Sequence, residues 1–213
     1  SCNYSDITIF SFHPVKIITT AEGGMAVTNN KEVSRKLKLF SSHGITRDDS
    51  EMTKEKEGSW YYQQILLGYN YRMNDLQASL GISQLKRIDT FVKKRHLIAQ
   101  QYFNKLDNLP IILPYLNTNS YSAFHLFIIQ LKLDKIKITH KEVFETLRKS
   151  GINVNLHYIP IHLHPYYTEL GFKKGAFPNS ENYYASAISL PMFPDLKTEE
   201  IEYITDKIKN ILL

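Results

Sequence analysis

Cysteine is almost missing from this chain: Cys2 stands alone, so no internal disulfide forms and a four-cysteine zinc site is excluded. No apolar run approaches the roughly 20 residues of a membrane-spanning helix, because charged residues interrupt every hydrophobic stretch. Internal repeats and low-complexity tracts are absent too, which sets aside solenoid, fibrous and disordered classes. Neither sign of charge dominates. Lys and Arg total 26 against 21 Asp and Glu, leaving +5, a mildly basic surface without a polybasic tail. There is no initiator Met and no targeting segment. The sequence starts at Ser1 and reaches strand-like residues within a few positions, a start that reads as a truncation. With one cysteine and no signal segment, the setting expected is cytoplasmic.

What remains is ordinary globular composition. At 213 residues, 43% hydrophobic and 22% charged, the chain suits one good-sized domain or a domain with a smaller partner. Ile7 to Phe12 alternates apolar and polar residues before turning aromatic, which is strand patterning, and Pro14 stops it by withholding an N–H. Gly23-Gly24 opens a second short strand, Met25 to Thr28, and Glu32 to Phe40 places Val33, Leu37 and Phe40 on one helical face. Ser41 to Gly68 is long, polar and irregular, a kind of stretch more often functional than idle.

A capping box, Asn74 with Gln77, predicts a helix in which Leu76, Leu80, Ile88, Val92 and Tyr102 recur as far as about Leu106. Gly81 is its one weak spot. A helix of that length is expected to bridge two lobes, with Lys93-Lys94-Arg95 on its solvated face and a domain boundary before Pro110 and Pro114. The division expected is 1–108 and 109–213. Beyond it, Ser122 to Leu133 and Ile152 to Tyr158 read as strands. A helix capped by Thr139 with Glu142 ends at Gly151; further helices are expected at Asn182 to Ile188 and Thr198 to Leu212. Alternating strands and helices imply an α/β lobe.

Lys16 follows the first strand and precedes Thr19-Thr20-Ala21-Glu22-Gly23-Gly24. A lysine at the mouth of a sheet can lose hydration, which lowers its pKa and frees the amine for Schiff-base chemistry. Judged only from its surroundings, the same lysine is a solvated surface charge. Asn70 reads equally as a turn residue and Arg72 as a surface ion-pair partner. His157, His162 and His164 invite a metal reading, but prolines at 160 and 165, no clear carboxylate partner and no nearby cysteine count against it, so no metal is expected. The 14 tyrosines are not interleaved with clustered positive charge, so no nucleic-acid partner is expected either.

Ordered motifs decide the weighting. Phe10-Ser11-Phe12-His13-Pro14-Val15-Lys16 with Thr19 to Gly24, then Ser42-His43-Gly44, Leu67 to Met73, Leu76-Gln77-Ala78 with Gln84-Leu85, and finally His157-Tyr158-Ile159-Pro160 with Leu190-Pro191 run nearly the length of the chain. Together they resemble the DegT/DnrJ/EryC1/StrS family of sugar aminotransferases. The resemblance implies an α/β fold: the C-terminal part of a fold-type I enzyme dependent on pyridoxal 5'-phosphate (PLP), with the end of its large domain, a bridging helix and a small lobe. It implies that Lys16 binds the cofactor covalently and then serves as general acid and base, and that Ser11 binds its phosphate. Asn70 would reach the phosphate of a neighbouring subunit's cofactor, making a homodimer with shared active sites. Arg72, His157 and Tyr158 would contact substrate.

Within the family, Thr46-Arg47-Asp48 to Trp60-Tyr61-Tyr62 and His157 to His162 most resemble members that aminate a UDP-linked 4-keto-6-deoxy-N-acetylhexosamine, with glutamate as donor. Another UDP- or dTDP-linked 4-ketohexose is the alternative. In such enzymes the aspartate that pairs with the cofactor's ring nitrogen lies upstream of the lysine. Only fifteen residues precede Lys16 here, so the chain by itself is expected to bind cofactor poorly, or to be a non-catalytic dimerising remnant.

Overall fold

The computed structural model describes residues 3–213; Ser1 and the lone thiol of Cys2 lie outside the described residues. The chain divides into two compact units, one ending at Ile88 and the other spanning Asp89–Leu213.

In the first unit, strand β1 (Thr8–Ser11) pairs antiparallel with β2 (Gly24–Val27), from Thr8 opposite Val27 to Ser11 opposite Gly24. Helix α1 (Lys31–Ser41) begins where the Asn30 side chain accepts from the N–H groups of Glu32 and Val33, satisfying two of the donors a helix leaves open at its start. The polar stretch after it holds a two-residue antiparallel pair, β3 (Ile45–Thr46) with β4 (Gln63–Gln64). Helix α2 (Asp75–Leu85) carries the expected capping box between Asn74 and Gln77. Among the described residues Leu39 is the only buried apolar side chain of this unit; Ile9, Met25, Leu76 and Ile82 are exposed. Leu76 and Leu80 therefore do not form the buried stripe that their spacing suggests.

The predicted single helix is two. After Leu85 the hydrogen bonding tightens, Arg87 N–H donating to the Gln84 carbonyl three residues back, and a new helix, α3 (Ile88–Leu106), follows. Its buried residues Arg95, Ile98, Ala99, Tyr102 and Leu106 recur at helical spacing and pack into the second unit. That is why the units divide at Ile88 and not near residue 108.

Beyond α3 the second unit builds a three-stranded antiparallel sheet in the order β5 (Ile111–Ile112), β6 (Phe127–Leu131), β7 (Ala187–Leu190). Phe127, Ile129 and Leu131 alternate inward along β6, and all four residues of β7 are buried. Helix α4 (His140–Lys149) has the predicted Thr139–Glu142 capping box, and Gly151 after it takes the left-handed φ of 78°. Short α5 (Pro165–Glu169) and α6 (Pro178–Ser186) follow, and α7 (Thr198–Leu212) buries Ile201, Ile204 and Ile208 against the core.

Three expectations change here. The strand expected from Ser122 begins only at Phe127, because Ser122 Oγ accepts from Phe124 N–H and Phe124 turns to a positive φ. Ile152 to Tyr158 forms no strand, only a bridge between Asn155 and Ser189. The helix expected to Ile188 stops at Ser186, since Ala187 and Ile188 pair with Gln130 and Ile129.

Arg95 corrects a fourth. It is 4% exposed, and its guanidinium donates to the carbonyls of Phe124 and Met192, each at 2.9 Å, and of His125 at 3.3 Å. Burial pulls its pKa below the ordinary arginine value. Lys93 and Lys94 alone keep the solvated role.

Candidate functional site

The loop that carries Lys16 is closed by its own backbone. At its base Phe12 N–H donates to the Gly23 carbonyl at 2.9 Å, while the Phe12 carbonyl accepts from Thr20 N–H at 3.0 Å and Thr19 Oγ1 at 2.9 Å. Lys16 N–H donates to the His13 carbonyl, closing a turn around Pro14. Lys16 itself is half-buried, and among the described residues no carboxylate pairs with its amine. Ser11, at the end of β1, is exposed.

Thr20 anchors this loop. It is 2% exposed, and its hydroxyl donates to the Glu22 carbonyl at 2.8 Å. A side chain added at Gly81 of α2 would sit 2.8 Å from the Thr20 methyl, and one at Gly23 would meet both Thr20 and the end of Met73. Gly81 is thus no weak spot: it admits Thr20 to the surface of α2. A helical Gly→Ala change ordinarily stabilises by about 1 kcal/mol. Here Gly81→Ala is expected to destabilise in urea titrations, and adding Thr20→Ser, which removes the clashing methyl, should restore the ordinary gain.

Two further motifs meet each other. Ser42 bridges to Asn70, His43 N–H donates to the Tyr69 carbonyl at 2.8 Å, and Tyr71 N–H donates to the Ser41 carbonyl at 2.9 Å. An Arg72 guanidinium N–H donates to Ser42 Oγ at 3.2 Å, so among the described residues Arg72 has a hydroxyl partner and not the carboxylate of a surface ion pair. Gly44 has φ 69°, and a Cβ there would overlap the Leu66 carbonyl; a Cβ at Gly68 would overlap the backbone of His43 and Gly44. The Ser42-His43-Gly44 and Leu67-to-Met73 runs are therefore two halves of one close backbone contact. Asn70 and Arg72 are exposed on it, and Met73 returns the chain to the Lys16 loop.

Ser11, Lys16, Asn70 and Arg72 all belong to the first unit, whereas His157 and Tyr158 belong to the second. His157 Nδ1 lies 2.8 Å from the hydroxyl of buried Ser189, and the Tyr158 ring, 70% exposed, stands edge-on to His157. His162 does have a carboxylate partner: its Nε2 lies 2.8 Å from Glu181 Oε1, which also accepts from Gly175 N–H at 2.7 Å. An ionised carboxylate only accepts, so the ring donates from Nε2. Sequence spacing gave no sign of Glu181, nineteen positions away. Among the described residues no group of three His, Cys, Asp or Glu is placed to hold a metal. A cavity of about 340 Å³ beside α3, lined by His96, Phe103, Tyr115 and Tyr121, contains none of the candidate residues.

The hydrogen bond from His162 holds the Glu181 carboxyl below its usual pKa; burial opposes this, and the N–H groups of Gly175 and Phe177 add to the lowering. A carboxyl lowered on folding stabilises above its unfolded pKa, and that contribution is lost as pH falls through the folded value. Stability should therefore drop more steeply from about pH 5 downward in the wild type than in Glu181→Gln, as read from urea midpoints across pH.

The donor set also suits a particular cofactor class. An amine without a carboxylate partner condenses with an aldehyde, and a hydroxyl, an amide and a guanidinium all donate to phosphate. These residues fit an aldehyde-bearing phosphate such as PLP, while none of them serves a ring nitrogen.

A UDP-4-amino-4,6-dideoxy-N-acetyl-beta-L-altrosamine transaminase from Campylobacter jejuni is 35% identical over 210 residues, covering 98% of this chain and 53% of its own. The structure of Helicobacter pylori PseC, an aminotransferase of pseudoaminic acid biosynthesis, matches with a TM-score of 0.87 at 31% identity, over 98% of this chain and 54% of its own. The PLP form of the sugar aminotransferase Spr1654 from Streptococcus pneumoniae gives 0.86 at 31% identity, over 99% and 53%. The chain spans about half the length of the curated relatives it matches. The profile of the DegT/DnrJ/EryC1/StrS aminotransferase family matches residues 1–209, and the chain belongs to that family.

Proposed function

We propose that this chain forms part of a PLP-dependent aminotransferase that moves an amino group from glutamate to a UDP-linked 4-keto-6-deoxy-N-acetylhexosamine, as in pseudaminic-acid biosynthesis. The observation that carries the reading is Lys16: a half-buried amine with no carboxylate partner among the described residues, on a loop closed by Phe12 and Gly23 and anchored through Thr20. When bound, PLP supplies an electron sink for negative charge at the carbon bearing the amine.

The chain's own residues do the rest. Lys16 Nζ holds the cofactor covalently and, once released, takes the proton from the donor carbon and returns it during transfer. Ser11 donates its hydroxyl to the cofactor phosphate, and Asn70 donates to that of a neighbouring subunit, which makes the working species a homodimer with shared sites. Arg72 offers a planar fork for a carboxylate or phosphate. His157 and Tyr158 contact the nucleotide-sugar. The relatives named for altrosamine transamination support this substrate over other 4-ketohexoses. The enzyme is proposed to work in the cytoplasm.

Borohydride reduction of the intact enzyme that contains this chain, in the presence of PLP, followed by peptide mapping, should place the label on Lys16. Incubation with glutamate and the UDP-4-ketosugar should yield the aminosugar by mass spectrometry. Label on a different lysine overturns the assignment of Lys16. Label on Lys16 without sugar amination overturns the substrate.

A further inference from the structure

The segment from His157 to His162 is fastened at both ends by buried side chains, while its middle stands clear. At the first end Asn155 and Ser189 exchange backbone hydrogen bonds of 3.1 and 2.8 Å. Ser189 is 3% exposed in β7, and its hydroxyl meets His157 Nδ1 at 2.8 Å, which fixes the plane of the imidazole. At the second end His162, 7% exposed, bonds Glu181 of α6. Glu181 in turn binds Gly175 N–H, and the Phe177 ring stands against the imidazole with ring centres 4.8 Å apart. Between these anchors Pro160 is buried, whereas Tyr158 and Ile159 are 70% and 44% exposed.

An exposed tip with two buried fastenings is preorganised: its conformational freedom is already lost on folding, so a ligand meeting it does not have to order it. A buried polar pair is also sensitive to the loss of one member, because the other is left without its hydrogen bond. Neither the Ser189 hydroxyl nor Glu181 is on the exposed tip.

We propose that Ser189 and Glu181 are positioning residues that hold His157 and Tyr158 in a single presentation toward a uridine-diphosphate-linked sugar. The ligand class rests on the function proposed above; the two fastenings rest only on the geometry. Ser189 acts through the His157 ring and Glu181 through His162 and the backbone that leads back from it.

Three measurements on Ser189→Ala and Glu181→Ala test this, with circular dichroism to check the fold. Two-bond ¹H–¹⁵N imidazole spectra, assigned with His157→Gln, should show one fixed tautomer of His157 in the wild type and an averaged pattern in Ser189→Ala. Hydrogen exchange of residues 157–162 should quicken about tenfold in Glu181→Ala, which removes the acceptor, while β6 and α7 are unchanged. Titration with UDP-N-acetylglucosamine should show the dissociation constant rising about tenfold in each variant. Unaltered His157 signals and unaltered exchange in folded variants overturn the proposal, as does loss of the whole fold in both, which makes the roles merely structural. If one variant unfolds, the other decides. Failure of the wild type to bind the UDP-sugar overturns the ligand class and leaves the spectra and exchange to decide the fastenings.

Discussion

Alanine in place of Lys16 is expected to lower amino transfer by about 10⁴-fold or more, since one side chain supplies both the covalent anchor and the proton-transferring group. The fold should be unaffected. The loop is closed by backbone bonds from Phe12, Thr20 and Gly23 and by the Thr20 contact with Gly81, none of which involves the lysine side chain. Melting of Lys16→Ala should therefore match the wild type, while PLP no longer becomes fixed to the protein by borohydride. Lys16→Arg keeps the charge but cannot condense with an aldehyde at neutral pH, and should be as inactive as the alanine variant. Retention of a tenth of the activity in either variant would remove Lys16 from its proposed role.

Replacing Arg95 by alanine should have the largest effect on stability, about 3–5 kcal/mol, read from urea titration of the second unit. The guanidinium satisfies the carbonyls of Phe124, His125 and Met192, joining α3 to the segment before β6 and to the one after β7. Removing it leaves those acceptors without their charged donor and opens a cavity where the buried side chain stood. Arg95→Lys should recover only part of the loss, because a compact ammonium on a shorter stem lacks the rigid fork that spans separate carbonyls. Arg95→Met, which fills the volume without donors, should recover the cavity part of the loss but not the part due to the unpaired carbonyls. A loss below 1 kcal/mol for Arg95→Ala would mean that water replaces the guanidinium at little cost.

Arg95 also shows where sequence reading fails. Beside Lys93 and Lys94 it reads as part of a charged, solvated face. Yet 95, 98, 99, 102 and 106 fall on one side of the helix, and position decided burial over charge. The break between α2 and α3 had no signal of its own: no Pro or Gly occupies 86 or 87. Ala187 and Ile188 extend the helix expected from Asn182 as far as local propensity is concerned; only the register opposite Gln130 and Ile129 makes them strand. By contrast, the caps at Asn74 and Thr139 and the turn at Gly151 are legible in the sequence, because each is settled within four residues of chain.

The candidate site divides in the same way. Lys16, Ser11, Asn70 and Arg72 were identifiable because short runs around them match a family pattern, and that pattern needs no knowledge of packing. The sequence by itself determined the family and the caps, and it singled out the residues proposed to bear the chemistry. Tertiary structure decided the partners: Thr20 against Gly81, Ser42 for Arg72, Ser189 for His157, Glu181 for His162 and three carbonyls for Arg95. The physical reason is range. A cap or a turn closes over a few residues, whereas a hydrogen bond across 19, 32 or 97 positions exists only once the fold has brought its two ends together.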